Sequence, residues 1–255
     1  AAIDAVASEF SVRGILSSGL QIDATAIPAL HALAERHPLI SVGVRDEMSL
    51  QLAESAGLPA EYTFDDLSEV LQSWAPAPDA PRSDGAIVIH LNTSDYVGGD
   101  IARSLWAEIL TQLAARRPRR VVILSAYADR RIDVRDALRS IADLAEDFPF
   151  TTFEVIDIAQ VSLHEDVRGG LPQAVAALSA ADFAVTSSYH TALFLSSQGV
   201  PSYLVSANEY FTQKAGLFQL PSFAEFLDDP QAHLLDLSEG FEARRRWVEK
   251  LNRIS

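Results

Sequence analysis

The chain has 255 residues, 48% of them hydrophobic, enough for a sizeable core and, at ~150 residues per domain, for one large or two small domains. Its formal net charge of -15 would repel a phosphate-rich polymer, so nucleic acid is excluded as an expected partner. The absence of cysteine removes disulfides, thiolate zinc sites and cysteine nucleophiles together, and the cytoplasm, a reducing compartment, is the expected location.

The N-terminal stretch, A-A-I-D-A-V-A-S-E-F, reads as apolar and helical but has no cap and no preceding strand. It looks like an entry in mid-domain, so the first domain is expected to be abbreviated or incomplete. A strand is expected over residues 10–16, then a Ser/Gly turn, a helix over 27–36 and a β-rich run over 39–44. A second helix is expected over 47–56, stopped by Gly57 as C-cap with Pro59 beyond it. A short element follows over 62–71. Residues 75–85, with three prolines and almost no apolar bulk, read as an extended connection.

Beyond that connection the pattern is regular. Apolar runs over 86–91, 121–124, 153–158, 183–186 and 203–205 alternate with helical segments, and continuous apolar runs suit strands buried on both faces. The first intervening helix carries Leu105, Trp106, Ile109, Leu110 and Leu113 on one face, the stripe needed to pack on a sheet. Strand, helix, strand at this spacing predicts a parallel α/β sheet. The expected organisation is an N-terminal α/β domain with linker over 1–83, a C-terminal Rossmann-like domain over 84–236, and a charged amphipathic helix over 237–255 that packs back across the domains.

Ligands of open parallel sheets bind beyond the carboxyl ends of the strands, so those ends are where chemistry is expected. The richest is residues 181–201: a strand closing at Thr186, a small-hydroxyl turn at Ser187 and Ser188, and a helix opening near His190. Backbone N–H groups at a helix start, joined by hydroxyls, can cradle a phosphate or carboxylate, although Ser and Thr are equally ordinary N-caps. His190 can act as a general acid or base near neutral pH, or be a histidine satisfied in the core. Asn92, Thr93 and Ser94, with Asp95, follow the first strand of the second domain and fit sugar or phosphate contacts, or a simple turn. Residues 125–129 are a similar, weaker group. His164, Glu165 and Asp166 have no spaced partner histidine, and no metal site is expected. Asp65 and Asp66 are adjacent and therefore diverge, which favours solvated or capping roles. Arg244, Arg245 and Arg246 form the dense basic cluster of a solvated helix face.

The strand ending in T-S-S-Y-H-T-A, followed by G-V-P and a further strand, resembles the signature of the polysaccharide pyruvyltransferase family. The earlier V-R-D-E-M-S, residues 44–49, is similar to the segment in which that family closes a first-domain strand with Arg-Asp-Glu-x-Ser. The resemblance implies two Rossmann-like domains of glycosyltransferase-B type. It implies transfer of the enolpyruvyl group of phosphoenolpyruvate to a saccharide hydroxyl in cell-surface or exopolysaccharide biosynthesis, with no cofactor. Carried over by position, His190 matches the family's functional His, Arg45 stands in the first motif, and Lys214, within N-E-Y-F-T-Q-K beside Asn208 and Glu209, falls where the family often carries a Lys. Ser188 occupies the place of the family's Arg. A saccharide or lipid-linked saccharide is the implied acceptor, with peripheral membrane association arising through it. Because a serine offers one neutral donor where a guanidinium would grip two anions, two other readings stay open: a glycosyltransferase using a nucleotide sugar, and a non-catalytic sugar-binding homologue.

Overall fold

The computed structural model describes residues 15–37, 39–73, 85–92, 99–125, 148, 151–158, 167–206, 218 and 221–254. In chain order its elements are β1 (Ile15–Leu20), α1 (Ile27–Arg36), β2 (Leu39–Val44), α2 (Glu47–Ser55), β3 (Ala60–Tyr62) and α3 (Ser68–Ser73). They continue with β4 (Ala86–His90), α4 (Gly99–Ala115), β5 (Arg120–Ser125), β6 (Thr152–Asp157), α5 (Val167–Ser179), β7 (Phe183–Thr186) and α6 (Tyr189–Ser197). Last come β8 (Ser202–Leu204), α7 (Phe223–Asp228), a 3-10 turn (Pro230–His233) and α8 (Ser238–Ile254). No helix among the described residues is long and apolar enough to cross a membrane. The chain divides into two units, one of Ala1–Ser73 with Leu237–Ser255 and the other of Trp74–Asp236.

The first unit holds a parallel sheet in the order β1-β2-β3. Val42 and Val44 of β2 are fully buried, with Ile22, Ala53 and Leu58 around them and Leu30, Leu50 and Leu52 packed on that cluster. Gly43 lies between the two valines because nothing larger fits: a Cβ there would stand 2.4 Å from the Ser17 carbonyl oxygen of the neighbouring strand. β1 runs six residues through Ser17, Ser18 and Gly19, where a turn was expected after residue 16. Ladder pairing to β2 outweighs the turn composition, and the register irregularity between Ser17 and Leu20 is absorbed by Gly19 at φ 61°. The single element expected over 62–71 is two, the end of β3 and then α3. α8 buries Ala243 and Trp247. Its Arg244 donates to Asp66 and Glu69, both at 2.7 Å, so this member of the basic cluster ties α8 to α3, while Arg245 and Arg246 pair with Glu242 on their own helix.

The second unit holds a parallel sheet in the order β6-β5-β4-β7-β8. β4 is buried at every position, as its unbroken apolar run requires. α4 lays Trp106, Ile109, Leu110 and Leu113 into a core with Ile87, Ile89, Val121, Ile123 and Val185, and Phe226 of α7 joins the same cluster. From β4 the chain builds outward through β5 to β6, then returns to place β7 on the other side of β4. The strand order reverses between β4 and β7, which makes the carboxyl ends of those two strands the topological switch point of the sheet.

The two units share one module at matching spacing. β2, α2 and β3 in the first correspond to β7, α6 and β8 in the second, the helices and the strands after them lying 142 residues apart and β7, two residues shorter than β2, ending 142 residues beyond it. Asp46 and Ser188 cap the helices, accepting from the backbone N–H of Ser49 at 2.8 Å and of Thr191 at 3.4 Å. Both helices end in a left-handed glycine, Gly57 (φ 71°) and Gly199 (φ 76°), and the N–H groups of Leu58 and Val200 reach back to Ala53 and Leu195, each at 3.0 Å. This is the Schellman closure, and Pro59 and Pro201 then bar further helix. The ladder repeats as well: Val42 to Pro59 at 2.7 Å matches Ala184 to Pro201 at 2.8 Å.

Candidate functional site

At the switch point of the second unit, His90 and Thr186 are register partners on β4 and β7. Both are wholly buried. His90 Nδ1 lies 3.0 Å from Thr186 Oγ1, and that oxygen also accepts the Ser188 N–H at 3.0 Å. The Ser187 N–H donates to the His90 carbonyl at 3.0 Å, so the turn after β7 is stitched to the tip of β4. Ser187, 4% exposed, accepts from the Trp106 indole N–H at 2.9 Å, and its hydroxyl lies 3.4 Å from both the backbone N–H and the carbonyl of Asn92. Each such buried bond contributes about 1 kcal/mol net, but losing one partner exposes a larger desolvation cost for the other. The hydroxyls of Thr186 and Ser187 are thus engaged inside the protein, where they shape the turn from beneath.

Ser188 is half-buried and acts as the N-cap of α6. α6 itself is buried nearly all round, from Tyr189 through Thr191 to Ser196, and His190 is the exposed residue of its first turn. Its ring stands edge-on to Tyr189 at 5.3 Å between centroids. An imidazole at the solvent-facing start of a helix, just past a strand tip at a switch point, is a candidate for proton exchange, since ligands of such sheets gather at that end. Asn92 is 3% exposed and its backbone faces Ser187.

In the first unit, Arg45 follows β2 and is 9% exposed. Its guanidinium donates to Gln21 Oε1, lies 3.7 Å from Asp65 Oδ2 and 3.9 Å from Asp46 Oδ2. Asp65 is buried and caps the turn by accepting the Leu67 N–H at 2.9 Å, while Asp66 faces Ser18 and Arg244. The two carboxylates therefore serve different partners, as adjacent residues must. Nearby, burial pushes the Tyr62 hydroxyl up to about 12, with Glu239, Asp46 and Glu47 adding to the shift.

Thr93, Ser94, Asn208, Glu209 and Lys214 lie outside the described residues, as do residues 126–129, His164, Glu165, Asp166 and the connection over 75–84. His90 and Trp106 are the members of the network that sequence reasoning missed. His90 reads as the last residue of an apolar strand and Trp106 as a core aromatic. The one local signal for His90 was its place at a strand's carboxyl end, since its partner is 96 residues away.

The chain is similar in fold to the Anabaena protein Alr3699/HepE, solved in complex with UDP and glucose, at 14% identity, covering 98% of this chain and 74% of that one with a TM-score of 0.48. It is similar also to the pneumococcal O-GlcNAc transferase GtfA, solved with UDP and GlcNAc, at 13% identity, covering 94% of this chain and 52% of that one with a TM-score of 0.49. No curated protein matches. The family model described as polysaccharide pyruvyl transferase matches residues 11–209, a span that takes in both strand-tip motifs. A match over that much of the sequence assigns the chain: it is a transferase, and it belongs to the polysaccharide pyruvyl transferase family.

Proposed function

We propose that this chain transfers the pyruvyl group of phosphoenolpyruvate to two hydroxyls of a saccharide, forming a ketal and releasing inorganic phosphate. Family membership supports the reaction class, and the observation that carries the site is the exposed imidazole of His190 at the switch point between β4 and β7. The methylene carbon of the enol gains a proton and becomes a methyl group. One acceptor hydroxyl then bonds to the neighbouring carbon and loses its proton, and the second displaces phosphate from the same carbon, its own proton leaving with the phosphate. His190 supplies or receives those protons, as an imidazole can act as both acid and base.

Thr186 and Ser187 hold the turn, and Ser188 caps α6. Arg45 of the first unit, whose motif the family shares, is the second residue assigned to function in this reading, its guanidinium being the natural partner of a carboxylate or phosphate. Asn92, Thr93, Ser94, Asn208, Glu209 and Lys214 are the remaining residues assigned to substrate binding in this reading. The acceptor is a saccharide or a lipid-linked saccharide, reached from the cytoplasm by peripheral association with a membrane.

Ser188 gives weight to one other reading, glycosyl transfer from a nucleotide sugar, because a serine offers one neutral donor where the family's guanidinium would grip an anion. The test is a thermal-shift screen of phosphoenolpyruvate against nucleotide sugars, followed by phosphate release from phosphoenolpyruvate with candidate oligosaccharides. Stabilisation by phosphoenolpyruvate, and a loss of ~100-fold or more in turnover for His190→Ala, are expected. Stabilisation by nucleotide sugars alone, or an unchanged rate in His190→Ala, overturns the proposal.

A further inference from the structure

Three neighbouring strand tips of the first unit converge on one side chain. Gln21 follows β1, Arg45 follows β2 and Asp65 lies just beyond β3. All three meet at the Arg45 guanidinium, which keeps 10% of its side-chain exposure against 7% for Asp65. Asp65 arrives there through Phe64, whose φ of 58° lies in the left-handed region that a phenylalanine rarely adopts. The surroundings force that conformation. The Phe64 ring is 1% exposed, stands edge-on to Phe241 at 5.9 Å, and sits where a Cβ on Gly240 would reach 2.7 Å from it. The other carboxylate oxygen of Asp65 accepts the Leu67 N–H at 2.9 Å, so the direction of the carboxylate is set at both ends.

A buried ion pair pays heavily in desolvation and is commonly matched or exceeded by apolar residues of the same volume. A left-handed side chain is a second cost at the same point, and such costs accumulate where a group must be held in one orientation. The corresponding position of the second unit shows the same logic, for Ser187 is pinned from outside its own strand by the Trp106 indole.

We propose that Asp65 is a positioning residue for Arg45: together with Gln21 it fixes the plane of the guanidinium so that its donors meet a substrate carboxylate or phosphate. This rests on the assignment of Arg45 to anion binding in the function proposed above. A guanidinium recognises an anion through paired donors in a fixed fork, so its orientation decides affinity as much as its charge does.

The experiment uses the full chain and two variants, Asp65→Asn and the charge-conserving Asp65→Glu, which keeps the buried guanidinium neutralised and protects the test if the first fails to fold. The Arg45 Nε–Hε resonance, assigned by its loss in Arg45→Lys, reports orientation. Titration with phosphoenolpyruvate, and separately with inorganic phosphate, reports affinity, and melting temperature reports any purely structural loss. Both variants are expected to shift or broaden the Arg45 resonance. Phosphoenolpyruvate binding is expected to weaken about 10-fold or more in Asp65→Asn and less in Asp65→Glu, out of proportion to any change in melting. An unmoved Arg45 resonance in a folded variant, or unchanged affinity alongside a moved one, overturns the proposal. If the resonance moves while the wild-type chain binds inorganic phosphate and ignores phosphoenolpyruvate, the positioning role stands and the donor assignment falls.

Discussion

His90 Nδ1 and Thr186 Oγ1 stand 3.0 Å apart at the adjoining carboxyl ends of β4 and β7, both wholly buried. Thr186 Oγ1 also receives the Ser188 N–H, so one hydroxyl links the two strands of the switch point to the start of the helix that carries His190. Thr186→Val preserves shape and removes that oxygen. A loss of about 1–3 kcal/mol is expected from the urea midpoint, and a variant within 0.5 kcal/mol of the wild type, on the order of ordinary surface substitutions, would show that the link carries no weight.

Ser188 is both the departure from the family motif and the cap of α6. Ser188→Ala should therefore cost about 1 kcal/mol, and Ser188→Asp should hold or raise stability because it caps and places an anion at the positive end of the helix. Ser188→Arg restores the motif at the expense of the cap. Chemical denaturation should rank Asp above Ala and Arg, and titration should show Ser188→Arg gaining affinity for phosphoenolpyruvate. A Ser188→Arg chain as stable as Ser188→Asp would contradict the capping role.

Two glycines separate space from backbone conformation. A Cβ on Gly43 would press into the backbone of β1, 2.4 Å from the Ser17 oxygen, whereas a Cβ on Gly57 meets nothing within 4 Å but needs φ 71°. Gly57→Ala should cost roughly 1–2 kcal/mol. Gly43→Ala should cost more, since β1 and β2 cannot part without breaking their ladder. Equal urea midpoints would refute this ordering.

Tyr62 gives an alkaline signature. Its hydroxyl is pushed up to about 12, first by burial and then by Glu239, Asp46 and Glu47, while in the unfolded chain it titrates near 10. Below about pH 10 the tyrosine is protonated in both states and its contribution is complete. Between pH 10 and 12 the unfolded chain releases the proton while the folded chain keeps it, so stability falls as pH rises through that window. Tyr62→Phe should flatten the fall in the urea midpoint between pH 9 and 12. In ultraviolet titration it should remove one late-ionising tyrosine, leaving Tyr203, which burial and then Glu108 also raise. An unaltered alkaline limb would count against the burial.

Much of the fold is legible in the sequence because its signals are local. Helix α1 occupies the expected residues, as β7 does, since periodicity and flanking Gly and Pro act over a few turns of chain. Cap chemistry also led close to two helix ends: α2 was expected to run to residue 56 with Gly57 as cap and closes at Ser55 with Ala56 as cap, and a helix expected to open near His190 begins at Tyr189. The run Ser17–Gly19 was not, because a polar stretch becomes strand when a neighbour offers a ladder, and that neighbour is known only once the sheet exists.

The site divides in the same way. From the residues alone it followed that a strand ends at Thr186, that a capped helix begins after it and that an imidazole stands in the first turn. Tertiary structure alone decided that β7 returns to the side of β4, that Thr186 and Ser187 turn inward onto His90 and Trp106, and that Arg45 meets Asp65. Caps and periods are interactions between near neighbours in the chain. Strand order and buried pairs join residues far apart in sequence, and only the packed sheet selects among the partners each side chain has in principle.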